Sequence, residues 1–128
     1  MSFIADTDVL IDFLRGTGDG ADRIELELKT GHLSTTSVTA FELWVGARGP
    51  REIATIEALL AALVILPLDA ESARRAADVR RLLDGKGTTI GMADSLIAGI
   101  CLHEGGVLIT RNTKHFSRVP ELKLAGKY

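Results

Sequence analysis

Phe3-Ile4-Ala5-Asp6-Thr7-Asp8-Val9-Leu10-Ile11 is an apolar run that stops at two carboxylates before apolar residues resume. A short apolar stretch ended by an acid is what a buried strand looks like where it leaves its sheet. If residues 3–5 are that strand, Asp6 stands at its carboxyl end, where open α/β folds bind their ligands. The rest of the chain then has to supply Asp6 with partners.

Helical spacing of Val9, Phe13 and Leu14 carries the segment on as a helix through Arg15, with Gly16 as its stop. Residues 17–20 read as a turn. A second helix over 21–29 points Ile24 and Leu28 inward and keeps Asp22, Glu25 and Glu27 on a solvated face, with Gly31 closing it. Residues 32–36 mix apolar and β-branched side chains as a short strand does. The next helix runs to about residue 47 and is capped by Ser37 or Thr39. Thr39 and Glu42 have capping-box spacing, which gives Glu42 a purely local role. Against that role, Ala40, Phe41, Leu43, Trp44 and Val45 surround it, and Val38 and Val45 share its helical face. A capping glutamate has no need of such apolar company.

Gly49-Pro50 breaks the chain, and Pro50 suits the first turn of a helix over 51–63, whose Ile53, Ile56, Leu59, Leu60 and Leu63 read as core. Residues 64–68 follow as a strand. Asp69 caps a helix over 70–83 that is lined by Arg74, Arg75, Arg80 and Arg81, read as a solvated face. Beyond a loop at 85–87, a helix starts at Thr88 or Thr89 and reaches about residue 102. Ile90, Asp94, Ile97 and Cys101 fall on one stripe of it. An unpaired carboxylate in such a stripe costs several kcal/mol, so Asp94 needs a hydrogen-bond donor, a cation, a raised pKa or a metal.

Residues 107–110 read as a further buried strand and 122–124 as a short edge strand. Between them, Arg111, Lys114, His115 and Arg118 form the densest basic patch, with no acid among them. Alternating strands and helices predict an α/β fold, a three-layer α/β/α sandwich with a central, mainly parallel sheet of four to five strands.

At 128 residues the chain has the length of one domain, taken as 1–128, and can bury a core without a staple. Its net charge of −2 provides no global attraction for a polyanion, so nucleic-acid binding would rest on local patches or metal ions. Cys101 is the sole cysteine and lies in an apolar run, which excludes an intramolecular disulfide and reads as a buried thiol. With no basic leader ahead of an apolar segment and no apolar stretch of about 18 residues, the expectation is a soluble, unprocessed, cytoplasmic protein with no membrane partner.

Asp6 at a strand end, and Glu42 and Asp94 in helical apolar faces, stand apart from the solvated acids. Three carboxylates at one end of a sheet repel one another strongly unless cations lie between them. Oxygen ligands without a Cys/His pair at zinc spacing favour Mg²⁺, or Mn²⁺, over Zn²⁺. A carboxylate-bound Mg²⁺ site suits phosphoryl chemistry.

Four segments, in order, carry a family resemblance. Residues Ile4-Ala-Asp-Thr-Asp-Val-Leu-Ile-Asp12 resemble the opening motif of the PIN-domain ribonucleases of the VapC toxin type, and Ser37-Val-Thr-Ala-Phe-Glu-Leu43 the second. Gly91-Met-Ala-Asp-Ser-Leu-Ile-Ala98 is similar to the third, and Leu108-Ile-Thr-Arg-Asn-Thr-Lys-His-Phe-Ser-Arg-Val-Pro120 to the closing segment. The resemblance implies a PIN fold, a homodimer, and catalytic metal held by Asp6, Glu42 and Asp94. It further implies RNA cleavage by metal-activated water, leaving 5′-phosphate and 3′-hydroxyl ends, and inhibition by a VapB-like antitoxin encoded alongside.

Two departures stand out. Asp8 occupies a position where the family usually has Asn, and it either adds charge to the site or caps the first helix. A fourth acid common in the closing segment is replaced around Asn112 and His115; Asn112 retains the ability to hydrogen-bond a metal-bound water. Thr110 resembles the family's strand-end hydroxyl, able to orient a water or phosphate oxygen. Arg111, Lys114, His115 and Arg118 are the expected RNA backbone contacts. The competing readings are a receiver-type signalling domain that accepts phosphate on Asp69, a haloacid-dehalogenase-like phosphatase using Asp6 and Asp8, and a catalytically inactive PIN-fold binding module.

Overall fold

Strand β1 (Phe3–Ala5) is the middle of a five-stranded sheet ordered β3-β2-β1-β4-β5, with β2 at Ser34–Thr36, β3 at Val64–Leu66, β4 at Val107–Ile109 and β5 at Lys123–Leu124. Every pairing is parallel, as the alternation of strands and helices predicts. The computed structural model of the protein describes residues 2–126. Parallel strands need crossovers, and helices supply them: α1 (Thr7–Arg15) and α2 (Gly18–Leu28) join β1 to β2, and α3 (Ser37–Gly46) and α4 (Pro50–Ala61) join β2 to β3. The chain then crosses through α5 (Ala70–Gly85) and α6 (Met92–Glu104) to β4 on the far side of β1, and a short α7 (Thr113–Phe116) leads to β5.

Because consecutive strand residues face opposite sides, Ala5 and Ile109 enter one core with Val9, Leu10, Ile24, Leu43 and Leu60, while Ile4 and Leu108 enter a second with Val79, Leu83, Ile97 and Phe116. One apolar core lies on each face of the sheet, the three-layer arrangement expected. The strand order reverses between β1 and β4, which are hydrogen-bonded neighbours. Their carboxyl ends therefore flank the switch point where doubly wound sheets open a crevice. Asp6 and Thr110 are the next residues beyond those ends.

Several predicted boundaries shift, each for a local reason. Helix α2 starts at Gly18 because Thr17, in extended conformation, serves as its N-cap position, so the predicted turn at 17–20 shortens. Helix α3 is capped by neither Ser37 nor Thr39 but by Thr36, whose side chain accepts from the Thr39 N–H at 3.0 Å. Helix α6 begins at Met92 after an extended Gly91, not at Thr88 or Thr89, yet Ile90 is still buried, packing from the preceding loop. Ile53, read as core, is 39% exposed on the outer side of α4. The segment read as a basic loop contains α7, anchored by a fully buried Phe116. Gly16, Pro50 and Asp69 perform the predicted stop, start and cap.

Helices α5 and α6 approach closely at Gly99, where an added Cβ would stand 2.5 Å from the Ser72 carbonyl oxygen and 2.6 Å from the Ala76 Cβ. Helix α6 carries Asp94, so this contact also fixes the site. Gly99→Ala is expected to destabilise the fold by about 1–3 kcal/mol through overpacking, read as a lowered urea midpoint with unchanged slope. An unaltered midpoint would show that the two helices separate at no cost.

Candidate active site

Asp6 is 5% exposed and divides its carboxylate between two elements. Oδ1 caps α1 by accepting from the Thr7 N–H at 2.8 Å, and Oδ2 accepts from the Thr110 hydroxyl at 2.6 Å, tying the end of β1 to the end of β4. Burial is the main force on its titration and raises the pKa from 3.8 to about 7; Asp8 adds to the rise, the Thr110 and Thr7 bonds oppose it, and Asp94 contributes a smaller push upward.

Glu42 is drawn into the same place by Thr7, whose hydroxyl donates to its Oε1 at 2.6 Å. That bond links α1 to α3 and gives Glu42 a tertiary partner in place of the capping box. Its apolar neighbours are less buried than their helical spacing suggests: Phe41 and Val45 are 65% and 68% exposed. Asp94 sits half-buried in the first turn of α6, where the helix dipole favours an acid. Asn112 donates to its Oδ2 at 3.2 Å, and the same amide lies 3.1 Å from His115 Nδ1. Burial raises the pKa of Asp94, His115 opposes the rise, and Glu42 and Asp8 reinforce it.

Asp8 reaches from α1 to the end of β4. Its Oδ2 accepts from the Arg111 main-chain N–H at 3.1 Å and lies 3.4 Å from the Thr110 hydroxyl, whereas its Oδ1 is buried with no hydrogen-bond partner. Burial raises its pKa, against the lowering influence of Arg111.

The basic segment is partly turned to structure. The Arg111 guanidinium holds Asp12 with two bonds of 2.7 and 3.3 Å, and Arg118 donates to the Thr89 carbonyl at 3.2 Å, bracing the approach to α6. Lys114 is exposed on α7, and His115 is half-buried beside Asn112. The structure thus brings Asp6, Asp8, Glu42, Asp94, Thr110, Asn112 and His115 to one end of the sheet. Asp69 stays apart from them, capping α5 through Ser72 and facing His103 at 3.6 Å, at the end of edge strand β3. A receiver reading needs its acceptor on the central strand, and here that strand is β1.

Five residues in or beside the site escaped the sequence reading. Thr7 bridges Glu42 to α1, and its only signal was its place between two aspartates. Asp12 receives Arg111 across 99 residues. Arg15, Arg48 and Arg51 line, with Glu42, Ile11 and Leu14 among others, a cavity of about 620 Å³ on the α1, α3 and α4 flank. Only the packing of those helices brings the three arginines together. That cavity meets the acid cluster solely through Glu42, so it adjoins the site without containing it.

The donors fit a hard cation by their chemistry. They are all oxygens, they repel one another, and one buried carboxylate oxygen has no partner. Among the described residues, no three His, Cys, Asp or Glu side chains are grouped so as to hold a metal ion as they stand. Mg²⁺ does not require such a cage, since it is commonly bound through one or two carboxylates and fills its shell with water and phosphate oxygens. No helix among the described residues is long and apolar enough to cross a membrane.

Known proteins share the family and the fold. The PIN domain family profile matches residues 3–122. The tRNA(fMet)-specific endonuclease VapC of Salmonella typhimurium is 29% identical over 128 residues, covering 97% of this chain and 96% of its own. Ribonuclease VapC10 of Mycobacterium tuberculosis is 33% identical over 120 residues, 94% of this chain and 90% of that one. Among solved structures, VapBC2 from Rickettsia felis bound to a DNA fragment from its promoter superposes with a TM-score of 0.87 at 25% identity, covering both chains completely. DNA-bound VapBC from Salmonella typhimurium gives 0.85 at 27% identity over 98% of this chain and 97% of its own.

The raised pKa of Asp6 has a pH consequence in metal-free protein. Between pH 3.8 and about 7 the unfolded chain releases this proton while the folded chain keeps it, so stability falls as pH rises through that window. Above it the penalty is complete, on the order of a few kcal/mol. With chelator present, Asp6→Asn is expected to melt higher than the parent at pH 8 and to lose that advantage at pH 4. The reverse ordering at pH 8 would mean the carboxylate is better satisfied than its burial indicates.

Proposed function

Since the chain belongs to the PIN domain family, we propose that it is a metal-dependent endoribonuclease, the toxin of a toxin-antitoxin pair, acting as a single PIN domain. The observation that carries this reading is the gathering of Asp6, Glu42 and Asp94 at the β1–β4 switch point, each carboxylate held by a donor from a different element. Relatives of the same length that are ribonucleases support the reaction class, and their solved complexes with antitoxins support a VapB-like partner for this chain. The proposed setting is the cytoplasm, with no membrane partner.

Asp6, Glu42 and Asp94 would hold the divalent cation, Mg²⁺ or Mn²⁺. When bound, that ion supplies Lewis acidity toward the scissile phosphate and makes water acidic enough to attack near neutral pH. The protein's own part is positional. Thr110 and the Thr7 N–H fix both oxygens of Asp6, the Thr7 hydroxyl turns Glu42 inward, and Asn112 aims Asp94 from α7's N-terminal side. No side-chain nucleophile is required, and Cys101, buried and with its thiol pKa pushed up to about 12, is not one. Lys114 with Arg111, His115 and Arg118 would meet the RNA backbone, Arg111 and Arg118 while holding their structural partners. With a net charge of −2 overall, such a local patch is where phosphate affinity must reside. The exposed Phe41, Val45 and Met92 offer the apolar surface that a homodimer would bury.

Purified, antitoxin-free protein incubated with RNA and Mg²⁺ or Mn²⁺ is expected to cleave it, leaving 5′-phosphate ends. Asp94→Asn is expected to cleave at least about 100-fold more slowly, a change of roughly 2.7 kcal/mol in the barrier. Equal rates for both proteins, or no cleavage by the parent with either metal, would sink the proposal.

A further inference from the structure

Asp8 and Asp6 both face the hydroxyl of Thr110, at 3.4 and 2.6 Å, and a hydroxyl has one proton to give. The shorter contact assigns it to Asp6. Asp8 is left with the Arg111 main-chain N–H on Oδ2 and the weaker influence of the Val9 N–H from its own helix, while its Oδ1 is buried and makes no well-formed hydrogen bond. A buried carboxylate oxygen in that condition is costly unless something positive meets it. The nearest guanidinium, Arg111, grips Asp12 with two bonds, so that its charge is shared with another acid. Residues 111–118, the segment that closes the site, contain no acid at all, and there Asn112 presents an amide to Asp94.

The helix end accounts for only part of Asp8's placement. The N-cap of α1 is Asp6, and Asp8, in the first turn, is favoured there by the helix N-terminus and by the Val9 N–H, yet its Oδ2 reaches across to residues 110 and 111. We infer that Asp8 is a fourth carboxylate of the cation site, acting through Oδ1, so that the acid completing this site comes from α1 and not from the segment after β4. The inference rests on the proposed nuclease reading, and it specifies where a fourth point of attachment for the divalent ion lies.

The test measures binding of Mn²⁺ alone by isothermal titration and by the ion's paramagnetic resonance signal, without RNA. Asp8→Asn keeps the shape and an acceptor for the Arg111 N–H, so its melting temperature in chelator is expected to stay at or above that of the parent. Its Mn²⁺ affinity is expected to fall about 10-fold or more, with a smaller metal-induced rise in melting temperature. Asp8→Ser serves as a second variant should the first fold poorly. Unchanged Mn²⁺ affinity in the Asp8 variants, with Asp94→Asn losing it, overturns the role of Asp8 and leaves the nuclease reading intact. Absence of Mn²⁺ binding by the parent overturns both.

Discussion

The bond from Thr110 to Asp6, 2.6 Å long and almost sealed from solvent, is the constraint on which the active end of this protein depends. It exists because β1 and β4 pair in parallel with Ala5 opposite Ile109, so that the next residue on each strand stands beside the other. A slip of one residue would exchange the two faces of β4 and send Leu108 and Ile109 into the wrong cores. The apolar register of the sheet and the polar register of the site are therefore the same register. Burial of Ile4 and Ala5, whose side chains are fully enclosed, is what holds the Asp6 carboxylate where water cannot freely reach it.

That placement is unfavourable for the folded state by itself. Asp6, Asp8 and Asp94 each have pKa values raised chiefly by burial, and the charges of their acidic neighbours add to the rise. The compensation comes from neutral donors: two threonine hydroxyls, an asparagine amide and main-chain N–H groups. Neutral donors orient a carboxylate and leave its charge in place, whereas a lysine or arginine at the same distance would cancel it. Arg111, at the cluster's edge, is held by Asp12. The site thus keeps its negative charge, at a cost met by the two cores packed beneath it.

How much of this was legible in the chain follows from the range of each interaction. Asp69, Pro50 and Gly16 act within one turn of themselves, and their roles could be read directly. Helical periodicity placed Val38, Glu42 and Val45 together, but period identifies which residues share a face and not whether anything covers it; Val45 proved exposed. The start of α6 was misplaced because Thr88 and Thr89 have good cap chemistry, while Ile90 is buried without being helical. Thr7 and Asp12 were invisible for a different reason. Their partners, Glu42 and Arg111, lie 35 and 99 residues away, and only the β1–β4 switch and the packing of α1 on α3 bring them within reach. The acids themselves stood out earlier, since a carboxylate in an apolar setting is conspicuous from composition alone.

The same repulsion that raises the pKa of Asp6 bears on how a polyanion can approach. An RNA phosphate brought to the β1–β4 end of the sheet meets at least three carboxylates, and of the nearby basic groups Arg111 and Arg118 are already bonded to the protein. In the proposed nuclease, a divalent cation would lower that barrier and the phosphate would in turn strengthen the cation's hold, because linkage between two ligands is reciprocal. An acid cluster only partly offset by the protein's own cations is therefore suited to this reaction. It attracts the metal by itself, holds it more tightly once the phosphate is present, and repels the phosphate that comes without it.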